Sequence, residues 1–313
     1  MCLAIVILMG IVTQKIVIGI LFGGFLICIS SMMPLMNAAC FYYQNRGVNI
    51  DFGQARGLGS LSYAAISFIL GRLTVSYGAF PVIITGAIDS ILLLLIVFGM
   101  KTDDKRDSAS ENLQSVSSAD SKSGSFFTRY PAFIMMVCGL VLLLTFHNAI
   151  NTYMLQLIQN VGGNSADMGT AIAIAAITEL PVMFGFSKIV KRISPAALLF
   201  ICGAAYIARG VLLLFAGSVI MIYVSQILQM LTFALYASAS VYYTEEAMKE
   251  DDKVTGQALM SGVATVGAVI GNLLGGWTLQ YLGISPMLTI LIAITVLGTV
   301  IVGISCKKGS NNQ

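Results

Sequence analysis

The chain has 313 residues, 57% of them apolar and 10% charged, with a net charge of +3. Soluble domains carry roughly 25% charged residues, so a water-soluble globule is excluded: a chain of this length could not bury so much apolar surface. The small positive balance gives no footing for nucleic acid, and the placement of the charges along the chain is more informative than their sum.

Met1 to Val12 is apolar but short. It lacks the basic front and small-residue cleavage site of a secretory leader, and Cys2 ends no lipobox. It is expected to be the outer end of a partial membrane span, closed by Thr13-Gln14-Lys15. A full span is expected from Ile16 to Tyr43. Pro34 lies inside it, which membrane helices tolerate when neighbours satisfy the freed carbonyl. Spans follow at 57–77 and 79–100. Residues 101–129 differ in kind, with five acidic and five basic side chains, eight serines and no apolar run. Such a segment cannot build a core and is expected to be a mobile linker. Beyond it, spans are expected at 131–156, 166–187, 194–215, 217–244, 254–281 and 285–305. Most of these runs reach the ~20 residues that cross a bilayer core.

One stretch occurs twice. Gly53-Gln54-Ala55-Arg56-Gly57-Leu58-Gly59 opens one apolar helix, and 203 positions later Gly256-Gln257-Ala258 opens another, with Gly262 at the place of Gly59. Each helix is followed by an apolar residue and glycine (Tyr77-Gly78, Leu282-Gly283), a proline (Pro81, Pro286), one more span and lysine (Lys101, Lys307). The period is too long for a solenoid unit and fits the paired halves of a membrane transporter. The second half has four spans before its glycine motif and the first has room for two. Two spans are therefore expected to be missing from the front. The domain reading is an incomplete helical half over 1–100, a cytoplasmic linker over 101–130 and a six-helix half over 131–313.

Orientation follows from lysine and arginine. With the linker inside the cell, Arg46, Arg56, Lys188, Lys191, Arg192, Lys249, Lys253, Lys307 and Lys308 fall on the same side. Adding the five in the linker puts 14 of 17 basic residues in the cytoplasm. The chain is thus expected to be a multi-pass protein of the cell membrane with a cytoplasmic C-terminus.

A charge inside an apolar span costs about 2.5–3.5 kcal/mol on insertion scales, so each marks a candidate site. Three qualify: Asp89, Glu179 and Arg209. Glu179 lies mid-span, where poor solvation of the charged form suits a carboxyl to exchange a proton near neutral pH. The alternative is a structural ion pair with Arg209 on the next span. For Asp89, a helix–helix hydrogen bond and a functional role stand level. Polar stripes mark cavity-facing sides: His147, Asn148 and Asn151 on one span, Gln226, Gln229, Thr232 and Tyr236 on another, and Asn37 with Ser30, Ser31 and Pro34 on a third. Interhelical hydrogen bonds could explain any one stripe, whereas three at matching depth favour a wet cavity. Gly267, Gly271 and Gly275 recur every four residues as a close-packing face. His147 is the single histidine and the six cysteines form no C-x-x-C pair. No metal site, cofactor or catalytic signature is expected, and an enzyme is disfavoured.

With these residues in view, the chain resembles the major facilitator superfamily, in the branch of lactose permease and the phenylpropionate-permease-like transporters. Phe52-Gly53-Gln54-Ala55-Arg56 with Gly59 and Tyr63 resembles the lactose permease pattern. Lys101-Thr102-Asp103, Glu179-Leu180-Pro181 with Lys188, Lys191 and Arg192, Arg209, Gln226-Ile227-Leu228-Gln229 and Gly256-Gln257-Ala258-Leu259 match patterns of the branch. The resemblance implies a proton-coupled symporter of a small organic solute, such as a sugar, a nucleoside or an aromatic acid. Arg56 and Tyr63 would bind substrate, Glu179 would carry or relay the proton, and Arg209 would drive its release. Three positions depart from the pattern. Gln229 replaces a histidine, Thr232 replaces a carboxylate, and Asn37 replaces the sugar-binding glutamate. They argue against galactoside specificity and thin the proton route.

The expected fold is an all-α membrane bundle of about ten transmembrane helices, four plus six. The expected partners are a small-molecule substrate, protons and the lipid bilayer, with the protein as a monomer. The remaining alternatives are a ten-helix drug/metabolite-type exporter and a truncated, non-transporting membrane remnant or sensor.

Overall fold

In the computed structural model the described residues are 52–99, 123–249 and 252–310, with scattered positions between 5 and 28. The spans expected over 1–12 and 16–43, Asn37 and most of the 101–129 linker lie outside the continuous described stretches. Among the described residues all regular structure is helical. Seven helices are long and apolar enough to cross a membrane, and Phe80–Ile96 is a shorter apolar one.

By Cα proximity the chain divides into two compact units, Met1–Gly59 with Ile69–Ala119, and Ser60–Phe68 with Asp120–Gln313. Helix α1 (Phe52–Tyr77), apart from Ser60–Phe68, and α2 (Phe80–Gly99) supply most of the described part of the first. The turn between them rests on Gly78, whose φ of 63° lies in the left-handed region that favours glycine. Hydroxyls facing helix backbone are satisfied locally, as where Thr85 Oγ1 donates to the Pro81 carbonyl at 2.8 Å.

Besides Ser60–Phe68 of α1, the second unit contains α3 (Ser123–Arg129), so the last seven residues of the expected linker are helical. Then come α4 (Pro131–Thr152), the short α5 (Met154–Asn160), α6 (Ser165–Ile189) and α7 (Pro195–Leu214). After them come α8 (Val219–Ile227), a 3₁₀ turn Leu228–Met230, α9 (Phe233–Ala247), α10 (Lys253–Leu282) and α11 (Ile284–Ser310). Helix starts follow side-chain chemistry. Asn164 and Asp167 form a reciprocal capping box on α6, and Ser194 accepts from the Ala197 amide before Pro195 opens α7. Gly283, with φ 90°, ends α10. The sequence repeat thus has a local counterpart, because Gly78 and Gly283 both turn the chain in the left-handed region.

Two expected spans are interrupted. The 131–156 span breaks at Tyr153, between α4 and α5. The 217–244 span breaks between Ile227 and Phe233, although no proline is present there. At the second break Thr232 takes φ −100° and ψ −91°. Its hydroxyl donates to the carbonyls of Leu228 and Gln229 at 3.2 and 3.3 Å, competing with the helical ladder. Irregular backbone at membrane depth is tolerated when protein surrounds it, and Thr232 has no exposed surface.

Helix α4 is the axis of this unit, packing along both α10 and α11. Its contact with α10 runs over the glycine face. A Cβ on Gly267 would meet Leu144, one on Gly271 the Thr145 carbonyl, and one on Gly275 the Tyr153 ring and Ala149. On the α11 side, a Cβ on Gly139 would press on the Gly298 carbonyl and one on Gly298 on the Gly139 carbonyl. In lipid no hydrophobic force draws helices together, so van der Waals contact between small residues holds them.

Candidate functional site

The second unit has a polar interior centred on Arg209, which has no exposed surface. A buried guanidinium needs several acceptors because its five N–H groups cannot be neutralised by losing a proton. Two come from the α8 end and the 3₁₀ turn. Nη1 donates to Gln229 Oε1, and Nη2 donates to Gln226 Oε1 at 2.9 Å. The break after Ile227 places both glutamines here, three residues apart. Their other contacts anchor neighbouring helices: Gln226 Nε2 reaches Met154 Sδ at 3.3 Å, and the Gln226 carbonyl accepts from Thr178 Oγ1 at 3.5 Å. The Cys202 thiol donates to the Thr232 carbonyl at 3.1 Å, fixing α7 to the break itself.

His147 of α4 closes one side. Its ring stacks on Phe233, with centroids 4.6 Å apart and planes 2° from parallel, and meets Tyr206 edge-on at 5.9 Å. His147 Nε2 lies 3.0 Å from Asn151 Nδ2. Tyr206 sits one helical turn before Arg209 on α7 and is likewise fully buried. Three buried polar atoms of this cluster, His147 Nδ1, the Tyr206 hydroxyl and Arg209 Nε, have no hydrogen-bond partner among the described residues. Such groups are rare in folded proteins, since leaving one unsatisfied costs about 1–3 kcal/mol.

The residues singled out in the sequence are distributed unevenly around this centre. Gln226, Gln229 and Arg209 form one bonded group, with His147 beside it. Tyr236 is buried nearby, with its hydroxyl 3.5 Å from the Met260 carbonyl. Asn148 turns away: its amide donates to the Leu144 carbonyl at 2.8 Å and reaches that of Ala264 at 3.5 Å, on the α10 side. Asn151 is exposed apart from its contact with His147. Glu179 is partly buried on α6 beside Thr178 and couples electrostatically to Arg209. The hydrogen bonds of the guanidinium, however, go to the two neutral amides and not to that carboxylate. Tyr63 stands 58% exposed on α1. Arg56 belongs to α1, with its side chain outside the described residues, as is Asn37 altogether. Asp89 is exposed on α2. Among the described residues no group of His, Cys, Asp and Glu could hold a metal ion.

Sequence reasoning missed Tyr206 and Phe233. The available signal was the spacing Tyr206 to Arg209, one turn apart and so on the same face as the buried charge.

Outside the spans, a polar tie holds the start of α4. Arg129 Nη1 and the Tyr130 hydroxyl both donate to Asp252 Oδ2, at 2.7 and 2.8 Å. Those bonds, that from Tyr130 foremost, hold the Asp252 carboxyl below its ordinary range, and the bond to Asp252 raises Arg129.

This arrangement of a buried cation at a broken helix, within a bundle of membrane-crossing helices, can be set against known proteins. A curated relative, the uncharacterized transporter YwbF of Bacillus subtilis (strain 168), is 21% identical over 257 residues, covering 81% of this chain. The match spans 60% of the length of that relative. The model of the MFS_1 like family matches residues 1–300, and a match of that extent runs against the ten-helix drug/metabolite-type exporter. The chain is therefore a multi-pass helical membrane protein that belongs to the MFS_1 like family.

Proposed function

We propose that this protein is a secondary active transporter of the lactose permease and phenylpropionate-permease-like branch, coupling protons to symport of a small organic solute. The observation that carries this reading is Arg209, fully buried and bonded to Gln226 and Gln229 where a membrane-crossing helix breaks. Broken helices at membrane depth are the usual location of solute and ion sites in such transporters, and a buried charge there is functional by default. Asn37, Arg56, Tyr63, His147, Asn148, Asn151, Gln226, Gln229 and Tyr236 are the proposed solute contacts. Glu179 is the proposed proton carrier, because it is the carboxylate that couples to Arg209 from the adjacent helix. When Glu179 is charged, its field and that of Arg209 oppose; when it is protonated, the cation is left to the amides. That difference supplies the two states that alternating access requires. The protein works as a monomer in the cell membrane, with the 101–129 linker and the C-terminus in the cytoplasm.

Vesicles containing the protein test this directly. An imposed pH gradient is expected to drive accumulation of one of three probes: glucose, uridine or benzoate. Glu179→Gln is expected to abolish the dependence on the gradient while leaving facilitated equilibration. Gradient-driven accumulation unchanged in that variant removes Glu179 from the proton route.

A further inference from the structure

The cluster around Arg209 contains more donors than acceptors. Gln226 and Gln229 use their carbonyl oxygens on the two Nη groups, which leaves Arg209 Nε–H unbonded among the described residues. The Tyr206 hydroxyl is a second free donor. The third follows from tautomer logic: Asn151 presents its amide nitrogen, a donor, to His147 Nε2 at 3.0 Å. Nε2 must then accept, and the proton of the neutral ring resides on Nδ1, which is the third unbonded atom. All three side chains are at least nine-tenths buried: Arg209 and Tyr206 at 0% and His147 at 5% exposure. The guanidinium charge has two neutral amides as its hydrogen-bond partners, and the field of Glu179 also acts on it. Of the other ionisable groups nearby, Tyr236 turns its hydroxyl to the Met260 carbonyl and Cys202 its thiol to the Thr232 carbonyl.

We propose that this cluster is an anion site that binds the carboxylate of an organic solute through Arg209 Nε–H, Tyr206 O–H and His147 Nδ1–H. Three unbonded donors on neighbouring side chains and a fixed positive charge call for an acceptor-only, negatively charged group. A neutral hydroxyl or amide would bring donors of its own and leave at least part of the set unmatched. The carboxylate also compensates the buried cation when Glu179 is protonated, which the neutral glutamines cannot do. The proposal rests on the transport reading for its role but not for the binding itself.

His147 is the only histidine in the sequence, so protein labelled with ¹⁵N-histidine gives a single imidazole pair by NMR. In lipid nanodiscs the full chain is expected to show Nδ1 protonated and Nε2 bare. Titration with sodium benzoate is expected to shift the Nδ1 resonance saturably, whereas benzamide, its neutral counterpart, and sodium chloride leave it in place. Tyr206→Phe removes one donor and is expected to weaken benzoate about tenfold, the order of one hydrogen bond to a charged group. Asn151→Ala, at an exposed position, releases the tautomer and is expected to weaken benzoate severalfold with the fold intact. An unprotonated Nδ1, no saturable benzoate shift, or an equal response to benzamide or to chloride overturns the carboxylate site. Gradient-driven uptake of glucose or uridine without benzoate binding would leave the symport reading standing alone. Benzoate binding without gradient-driven uptake would do the reverse.

Discussion

Helix α4 has two faces that solve opposite problems. Toward α10 it is close-packed: Thr145, Ala149 and Tyr153 lie against Gly267, Gly271, Gly275 and Gly276, and the Tyr153 hydroxyl donates to the Asn272 carbonyl at 2.8 Å. Toward α7 and α9 it presents His147 to an aromatic and cationic cluster in which three polar atoms lack partners among the described residues. The first face gains from every atom being in contact. The second carries a cost that packing alone does not relieve. The glycine seam lets α4 hold its place while its other side remains incompletely satisfied.

Filling the seam should separate the two faces most strongly. In Gly271→Val the new side chain meets the Thr145 carbonyl, which is backbone and cannot rotate aside. A loss of about 3 kcal/mol is expected, at the upper end of overpacking costs, read as a fall in folded yield and in the thermal midpoint in detergent. Next comes the polar face. Arg209→Met removes the donor from two buried amide oxygens and is expected to cost about 2–3 kcal/mol. Combining it with Gln226→Leu and Gln229→Leu is expected to restore most of that stability by the same measurement while abolishing uptake, because replacing all partners with apolar groups removes the unpaired oxygens. Stability that stays low in the triple variant would mean that the cluster is structural.

The smallest effect is expected at the membrane edge. Asp252 accepts from Arg129 and Tyr130, and its carboxyl is held low by them. The tie is therefore fully present above the ordinary carboxylate range and is lost as pH falls through the lowered value. Asp252→Asn at neutral pH, or acidification of the wild type, is expected to raise hydrogen exchange over 123–130 with little change in overall stability, as suits an exposed pair.

Much of this was legible in the sequence. Composition excluded a soluble fold, since apolar content and scarce charge are properties of the chain whatever its shape. The spans after residue 52 fall within a few residues of their expected places, because a bilayer fixes the length of an apolar helix. The spacing of Gly267, Gly271 and Gly275 announced a packing face because four residues make about one turn. Arg209, Gln226 and Gln229 stood out as polar groups in apolar surroundings.

Which polar groups meet is set by the packing of the helices. Arg209 bonds to Gln226 and Gln229 because the helix breaks between Ile227 and Phe233, and no proline or glycine there announced that break. Asn148 and His147 are neighbours in the chain, yet one faces α10 and the other the cluster. Periodicity ranks residues by face, but only packing chooses the partner of each face. A hydrogen bond depends on tenths of an ångström, which the sequence encodes only through the whole fold.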